Sequence, residues 1–302
     1  MASEGNSGDT LPPLREVIRA HGLGARKSFG QNFLLDMNLT RKIARAAGPL
    51  EHATLYEVGP GPGGLTRALL DEGAARVVAV ERDPRCLPAL AELSAYYPGR
   101  LEIHQGDALK VDELSLLPTE NHLRIAANLP YNIGTALLVK WLTPEAWPPW
   151  WASMTLMFQK EVAERITSPS GRKTYGRLSV LSQWRASPSA LFDITPRAFT
   201  PAPKVWSTLV RFEPSAPVVS GLSVRSLEKL TATVFGQKRK MLRRSLKGFG
   251  PKAIEILGEL EIDARARPEE LSVEDICRLA HALQESGLIQ ALPISARTRP
   301  VR

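Results

Sequence analysis

Cysteine is scarce. The 302-residue chain carries two, Cys86 and Cys277, far apart and in no CxxC pair. A disulfide framework and a cysteine-rich zinc site are thereby excluded, no metal site is expected, and a reducing cytoplasm is the expected compartment. Long hydrophobic runs are missing too. No stretch reaches the roughly 20 apolar residues that cross a bilayer, and the polar opening MASEGNSGDT has no signal-peptide core. No membrane partner is expected. Aromatic residues make up only 6% of the chain, yet "WLTPEAWPPWW" holds Trp141, Trp147, Trp150 and Trp151. With no basic cluster beside it, that stretch reads as packing in a proline-stiffened connection; a membrane-contacting loop is the alternative.

Hydrophobic content of 43% is enough for one large core and a smaller one. The formal net charge of +8 points to an anionic partner. From "TLYEVG" to "KEVAERIT" the chain alternates strand, loop and helix, the pattern of a doubly wound, mostly parallel α/β sheet. "NLTRKIARAAG" has helical spacing, with Asn38 the candidate N-cap and Gly48 the stop. The Pro- and Ser-rich joint "EPSAPVVSG" marks a boundary near residue 214, after which the sequence reads as helices. Ser272 and Asp275 stand in capping-box spacing. The expected organisation is a partly disordered leader over 1–24, an α/β domain over 25–213, a small all-helical domain over 214–290 and a basic tail over 291–302.

"EVGPGPGGLT" matches G-x-G-x-x-G through Gly59, Gly61 and Gly64. Glu81 ends the next strand about 20 residues on, where a carboxylate grips ribose hydroxyls in dinucleotide-binding folds. A nicotinamide dehydrogenase is therefore one reading. Two prolines weigh against it, because Pro60 and Pro62 lack the N–H groups that hold a pyrophosphate. S-adenosylmethionine, which has adenine, ribose and a sulfonium but no phosphate, loses nothing by their absence. Glu57 suits such a cationic ligand directly, or else steadies the loop backbone. Asp107 ends a third strand in "GDAL" and serves either to accept from the cofactor adenine amine or to cap the following turn.

"IAANLPYNIGTALL" ends a fourth strand in an amide, a proline and an aromatic. If the methyl acceptor is an adenine amine, its lone pair is delocalised into the ring. Acceptors for its N–H groups free that pair. The Asn128 side-chain oxygen is one acceptor. The Leu129 carbonyl is a second, held extended by Pro130. Tyr131 offers a stacking face for a base drawn out of its stack. The competing reading is a tight turn capped by Asn132 with Tyr131 in the core.

In order, "KSFGQNFLLD", "EVGPGPGGLT", "VERD", "GDAL", "NLPYNIGTALL", "KEVAERI", "YGRLSVL" and "FTPAPKVWSTLV" resemble the ribosomal RNA adenine dimethyltransferases of the KsgA (RsmA) type over roughly residues 12–290. The resemblance implies a Rossmann-like class I methyltransferase domain with a small helical C-terminal domain. It implies N6-dimethylation of two adjacent adenosines in the hairpin near the 3′ end of small-subunit rRNA, acting as a monomer on a pre-small-subunit particle. It places Asn32, Leu34, Gly59, Gly61, Glu81, Asp107 and Asn128 at the S-adenosylmethionine site. It makes Phe199 a second aromatic face for the target base, unless it is a plain core residue. An Erm-type large-subunit rRNA methyltransferase and a non-catalytic assembly or transcription factor on the same fold are the alternatives.

The positive charge concentrates in "FGQKRKMLRRSLKGF", with Lys238, Arg239, Lys240, Arg243, Arg244 and Lys247. Helical spacing puts Lys240, Arg243, Arg244 and Lys247 on one face, with Phe235, Leu242 and Leu246 packed behind. Few acids interleave the run, so it reads as an RNA-contacting helix, against the alternative of a solvated face. RNA is read mainly through shape and phosphates.

Overall fold

The computed structural model describes residues 11–26, 29–117, 123–144 and 146–289. The first ten residues of the leader and the basic tail lie outside them. In chain order the elements are α1 (Leu14–Ala20), β1 (Phe33–Leu34), α2 (Met37–Ala46), β2 (Thr54–Val58), α3 (Gly64–Asp71), β3 (Arg76–Glu81), α4 (Leu87–Tyr96), β4 (Leu101–Gln105), β5 (Leu123–Ala127) and α5 (Gly134–Leu142). Then come β6 (Ser153–Gln159), α6 (Lys160–Thr167), α7 (Arg177–Trp184), β7 (Ala186–Ile194), β8 (Phe199–Thr200), β9 (Ser207–Pro214), α8 (Val224–Phe235), α9 (Leu242–Ser245), α10 (Lys252–Glu259) and α11 (Val273–Glu285). None of the described helices is long and apolar enough to cross a membrane.

Local chemistry sets several boundaries. Asp36, not Asn38, caps α2, because its carboxylate accepts from the backbone of Asn38 and Leu39. Pro88 sits in the first turn of α4, where its missing N–H has no helical partner to lose. Ser272 and Asp275 form the capping box of α11.

Seven strands form one sheet in the order β4-β3-β2-β5-β6-β9-β7. Strands β2 to β6 run parallel, and β9 pairs antiparallel with β6. The chain builds outward from β2 to β4, then returns to lay β5 on the other side of β2. Strand direction of growth reverses between β2 and β5, and in such sheets the ligand crevice opens at that point, beyond the carboxyl ends of the strands. All five residues of β2 are buried, as a strand covered on both faces requires. A separate two-stranded ladder pairs β1 with β8, setting Phe33 against Thr200 and Leu34 against Phe199.

The chain packs as two compact units. The first runs to Leu138 and includes Trp150–Lys160 and Ala190–Phe212. The second comprises Val139–Pro149, Glu161–Ser189 and the residues from Glu213 on. The span 25–213 is thus divided: the segments around α6 and α7 group with the C-terminal helices. Tyr175, Val180 and Trp184 share the second unit's apolar core with residues of α8, α10 and α11. The tryptophan-rich connection is packing. Trp141 and Trp151 are buried, Trp150 stacks edge-on against Tyr56, and the Trp147 indole N–H donates to the Ser215 carbonyl.

Candidate active site

A crevice of about 970 Å³ opens at the β2/β5 reversal. The segments around Asn32, Gly59, Glu81, Asp107 and Asn128 line it together. All seven residues assigned to the cofactor from sequence lie on its wall: Asn32, Leu34, Gly59, Gly61, Glu81, Asp107 and Asn128.

The glycine loop explains why two distant motifs occur together. Gly61 has φ +55, and a Cβ there would sit 3.0 Å from the Phe33 ring. At Gly64 a Cβ would meet the Leu34 carbonyl oxygen at 2.9 Å. "QNFL" therefore lies directly on the loop, and only residues without a side chain allow that approach. Glu81 ties the loop from the other side. Its carboxylate accepts from the Gly61 N–H at 2.9 Å and from the Asp83 N–H at 2.7 Å. Burial raises its pKa, opposed by those two bonds. Each carboxylate oxygen accepts more than one bond, so capacity remains toward the crevice.

Glu57 is 1% exposed and accepts from the Thr66 hydroxyl at 2.7 Å. Burial pushes its carboxyl up to about 8, against the lowering effect of that bond. It steadies the start of α3, the second of its two readings, and also lines the crevice, but a carboxyl that burial keeps protonated carries no charge for a cationic ligand. Asp107 likewise caps its own turn, accepting from the Leu109 N–H at 3.1 Å, while lining the crevice. Sequence reasoning missed Gln31 and Asp83. Gln31 donates to Asp83 at 3.0 Å, and Asp83 is also gripped by Arg85 at 2.6 Å, which ties "QNFL" to "VERD". The signal was present, since both residues lie inside quoted motifs.

The Asn128 amide is fixed in one orientation. Its Nδ2 donates to the Asn32 carbonyl at 3.1 Å, which leaves the side-chain oxygen unclaimed among the described residues. The Leu129 carbonyl has no donor among the described residues either, whereas the Pro130 carbonyl takes both the Ile133 and Gly134 N–H groups. Two adjacent residues at the end of β5 thus each keep a free acceptor among the described residues. The Tyr131 hydroxyl bonds the Ser207 hydroxyl at 2.6 Å, which pins the ring by its far end beside the crevice. Asn132 does not cap α5: the helix begins at Gly134, and Asn132 lines the crevice instead.

Phe199 is the site residue the structure does not bring in. Its ring is 3% exposed in the apolar cluster containing Leu34, Ile194 and Leu209, and it does not line the crevice. The β1–β8 ladder holds it opposite Leu34 and turns it into the core.

A family model for ribosomal RNA adenine dimethylase matches residues 22–285. The chain belongs to this family. A protein of Sinorhizobium fredii named ribosomal RNA small subunit methyltransferase A is 60% identical over 276 residues, covering 91% of each chain. A protein of the same name from Xanthobacter autotrophicus is 58% identical, covering 92% of this chain and 96% of its own. The solved structure of the 23S rRNA methyltransferase ErmE superposes with a TM-score of 0.64 at 27% identity, covering 83% of this chain and 99% of its own. A dimethyladenosine transferase from Plasmodium falciparum shares the fold, with a TM-score of 0.70 at 24% identity over 82% of this chain and 96% of its own. The fold is thus a class I methyltransferase fold, and the chain is an rRNA methyltransferase that uses S-adenosylmethionine. The dehydrogenase reading is set aside. The donor set fits that cofactor: carboxylates at two successive strand ends suit ribose hydroxyls and an adenine amine. Pro60 and Pro62 withhold the amides that a phosphate needs.

In the second unit the basic run is not one helix. Helix α8 ends at Phe235, Lys240 lies in the turn that follows, and α9 is a single turn that tightens at 246–249. The break has a cause. The Leu242 and Arg243 N–H groups donate to the carbonyls of Ala266 and Ala264, not to a preceding helical turn. Leu242 and Leu246 are buried in the core of this unit, with Phe235 against it. Lys238 is structural: its ammonium donates to the Lys173 and Tyr175 carbonyls and pairs with Glu269 at 3.1 Å. Arg239, Lys240, Arg243, Arg244 and Lys247 are exposed and, among the described residues, have no acidic partner. Sequence reasoning missed Arg265 and Arg267, two exposed arginines flanking the carbonyls that hold α9.

Proposed function

We propose that this enzyme transfers methyl groups to the N6 amines of two adjacent adenosines in the hairpin near the 3′ end of 16S rRNA. We further propose that it acts as a cytoplasmic monomer on a pre-small-subunit particle. The carrying observation is the pair of free acceptors at the end of β5, the Asn128 side-chain oxygen and the Leu129 carbonyl. The relatives named for small-subunit rRNA support the choice of RNA.

S-adenosylmethionine supplies an electrophilic methyl group on a sulfonium centre. Glu81 and Asp107 hold its ribose and adenine, and Asn32, Leu34, Gly59 and Gly61 form the rest of its wall. The Tyr131 ring receives the extruded base on one face. Asn128 and Leu129 accept the two amine N–H groups, which returns the nitrogen lone pair from the ring toward the methyl carbon. The amine's proton leaves to water after transfer, so no side chain has to act as a strong base. Catalysis is positioning plus preorganised electrostatics. Arg243, Arg244 and their exposed neighbours dock the RNA through phosphates.

The test is mass spectrometry of ribosomal RNA after incubation of the purified protein with labelled S-adenosylmethionine and both unmethylated ribosomal subunits. Two adjacent N6-dimethyladenosines near the 3′ end of 16S rRNA are the expected product. Methylation confined to large-subunit rRNA, the Erm-type reading suggested by the likeness to ErmE, overturns the assignment.

A further inference from the structure

Trp206 stands apart from the other tryptophans. It is 50% exposed, while the remaining five are buried or half-buried. Among the described residues its ring has no aromatic, cationic or hydrogen-bonding partner. Its flanks are exposed as well: Val205 at 43%, and Lys204, which has no acidic partner among the described residues.

The topology says which end of the sheet this indole occupies. Strand β9 runs antiparallel to β6, and Ser207, its first residue, stands opposite Gln159, the last residue of β6. The carboxyl ends of the parallel strands form the crevice, so β9 begins at the crevice end. The Trp206 carbonyl accepts the Lys160 N–H at 2.8 Å, which fixes the backbone just where α6 departs. The next side chain, Ser207, holds the hydroxyl of Tyr131. An exposed, unpartnered ring thus precedes by one residue the group that positions the ring assigned to the target base.

We propose that Trp206 is a stacking platform for an unpaired nucleotide of the RNA substrate neighbouring the one whose amine is methylated. The proposal rests on the reading of Asn128 to Tyr131 given above. A large aromatic face beside a free lysine is the combination that binds single-stranded nucleic acid, the ring taking a base and the cation a phosphate. Two adjacent targets also mean that when one adenosine enters the crevice, the other is unstacked beside it. Trp206 acts by positioning and touches no reacting atom.

The experiment uses a synthetic RNA hairpin with two adjacent loop adenosines for binding and unmethylated small subunits for turnover, with wild-type protein, Trp206→Ala and Trp206→Phe. RNA should quench part of the tryptophan fluorescence of the wild type, and that component should vanish in Trp206→Ala. The RNA KM should rise about 5-fold to 100-fold in Trp206→Ala, the scale of one base–aromatic stack. Trp206→Phe, which keeps a ring, should recover most of the loss. Affinity for S-adenosylmethionine and the melting temperature should stay unchanged in both variants. An unchanged KM in Trp206→Ala, or quenching that persists there, overturns the proposal while leaving the methyltransferase reading intact. If wild-type protein does not methylate the small subunits at adenine N6, both fall.

Discussion

Replacing Asn128 by alanine separates what this side chain does for the fold from what it does for the reaction. The fold loses one neutral hydrogen bond, from the amide to the Asn32 carbonyl at 3.1 Å. Such a bond contributes about 0.5–1.5 kcal/mol, so the melting temperature should fall by only a few degrees. Cofactor affinity should change by less than about tenfold, again the scale of one hydrogen bond. Methyl transfer should suffer far more. On the proposed reading the lost oxygen is one of two acceptors for the target amine, and removing one preorganised partner of this kind costs roughly 100-fold to 1000-fold in rate, or about 2.7–4 kcal/mol. The assay is single-turnover transfer of labelled methyl groups to unmethylated small subunits. A melting curve and calorimetry with S-adenosylmethionine accompany it on the same variant. A folded variant with normal cofactor affinity and a rate within about threefold of wild type, a barrier change of less than about 1 kcal/mol, would refute the acceptor role.

Other perturbations give distinct signatures. Burial keeps the Glu57 carboxyl protonated up to about 8, whereas in the unfolded chain it ionises near ~4.3. Folding therefore takes up a proton in that window, and stability falls as pH rises through it. Glu57→Gln, which keeps an acceptor for Thr66, should gain melting temperature over wild type progressively from pH 5 to 8, and a pH-independent difference would contradict the assignment. Arg243→Glu with Arg244→Glu should leave cofactor binding unchanged and lower the log–log salt slope of RNA binding by roughly 1.4–1.8 for two lost phosphate contacts, read from affinities across a salt series. Lys238→Ala should do the reverse: hydrogen exchange should quicken around Lys173 and Tyr175, whose carbonyls it ties, while the RNA salt slope moves by less than about one contact's worth.

The α/β half of the fold was legible because its signals are local. Strand ends carry Gly59, Glu81, Asp107 and Asn128 at βαβ intervals, and all four converge where the strand order reverses. The contacts between motifs were not legible. That Gln31 reaches Asp83, or that the Asn32 carbonyl orients Asn128, depends on a two-residue strand, β1, far too short to announce itself by periodicity. The choice between the two readings of Phe199 stayed open for the same reason, since its ring direction is set by pairing with that strand. The basic run shows the opposite failure. Its residues repeat with a helical period, but tertiary bonds from Leu242 and Arg243 to the 264–266 loop replace the bonds a continuous helix would make. Periodicity reported which side is buried, not how the backbone runs.

The fixed Asn128 amide has a consequence for where the reaction stops. The Asn32 carbonyl holds the amide nitrogen by one of its two N–H groups, which leaves the side-chain oxygen as the acceptor on the other branch of the amide. A guanine or inosine offered in the same pose would present a carbonyl oxygen to that oxygen and be repelled, so the site sorts bases by the sign of one edge. On the proposed reading, an adenine amine enters with two hydrogens, matching the two acceptors. The first transfer replaces one hydrogen and leaves one bond to hold the base. The second leaves none, and the dimethylated product then faces two unsatisfied oxygens. The pocket in effect counts protons: affinity drops in two steps, and with no N–H left to bond, the dimethylated nitrogen keeps its lone pair in the ring and takes no third methyl group.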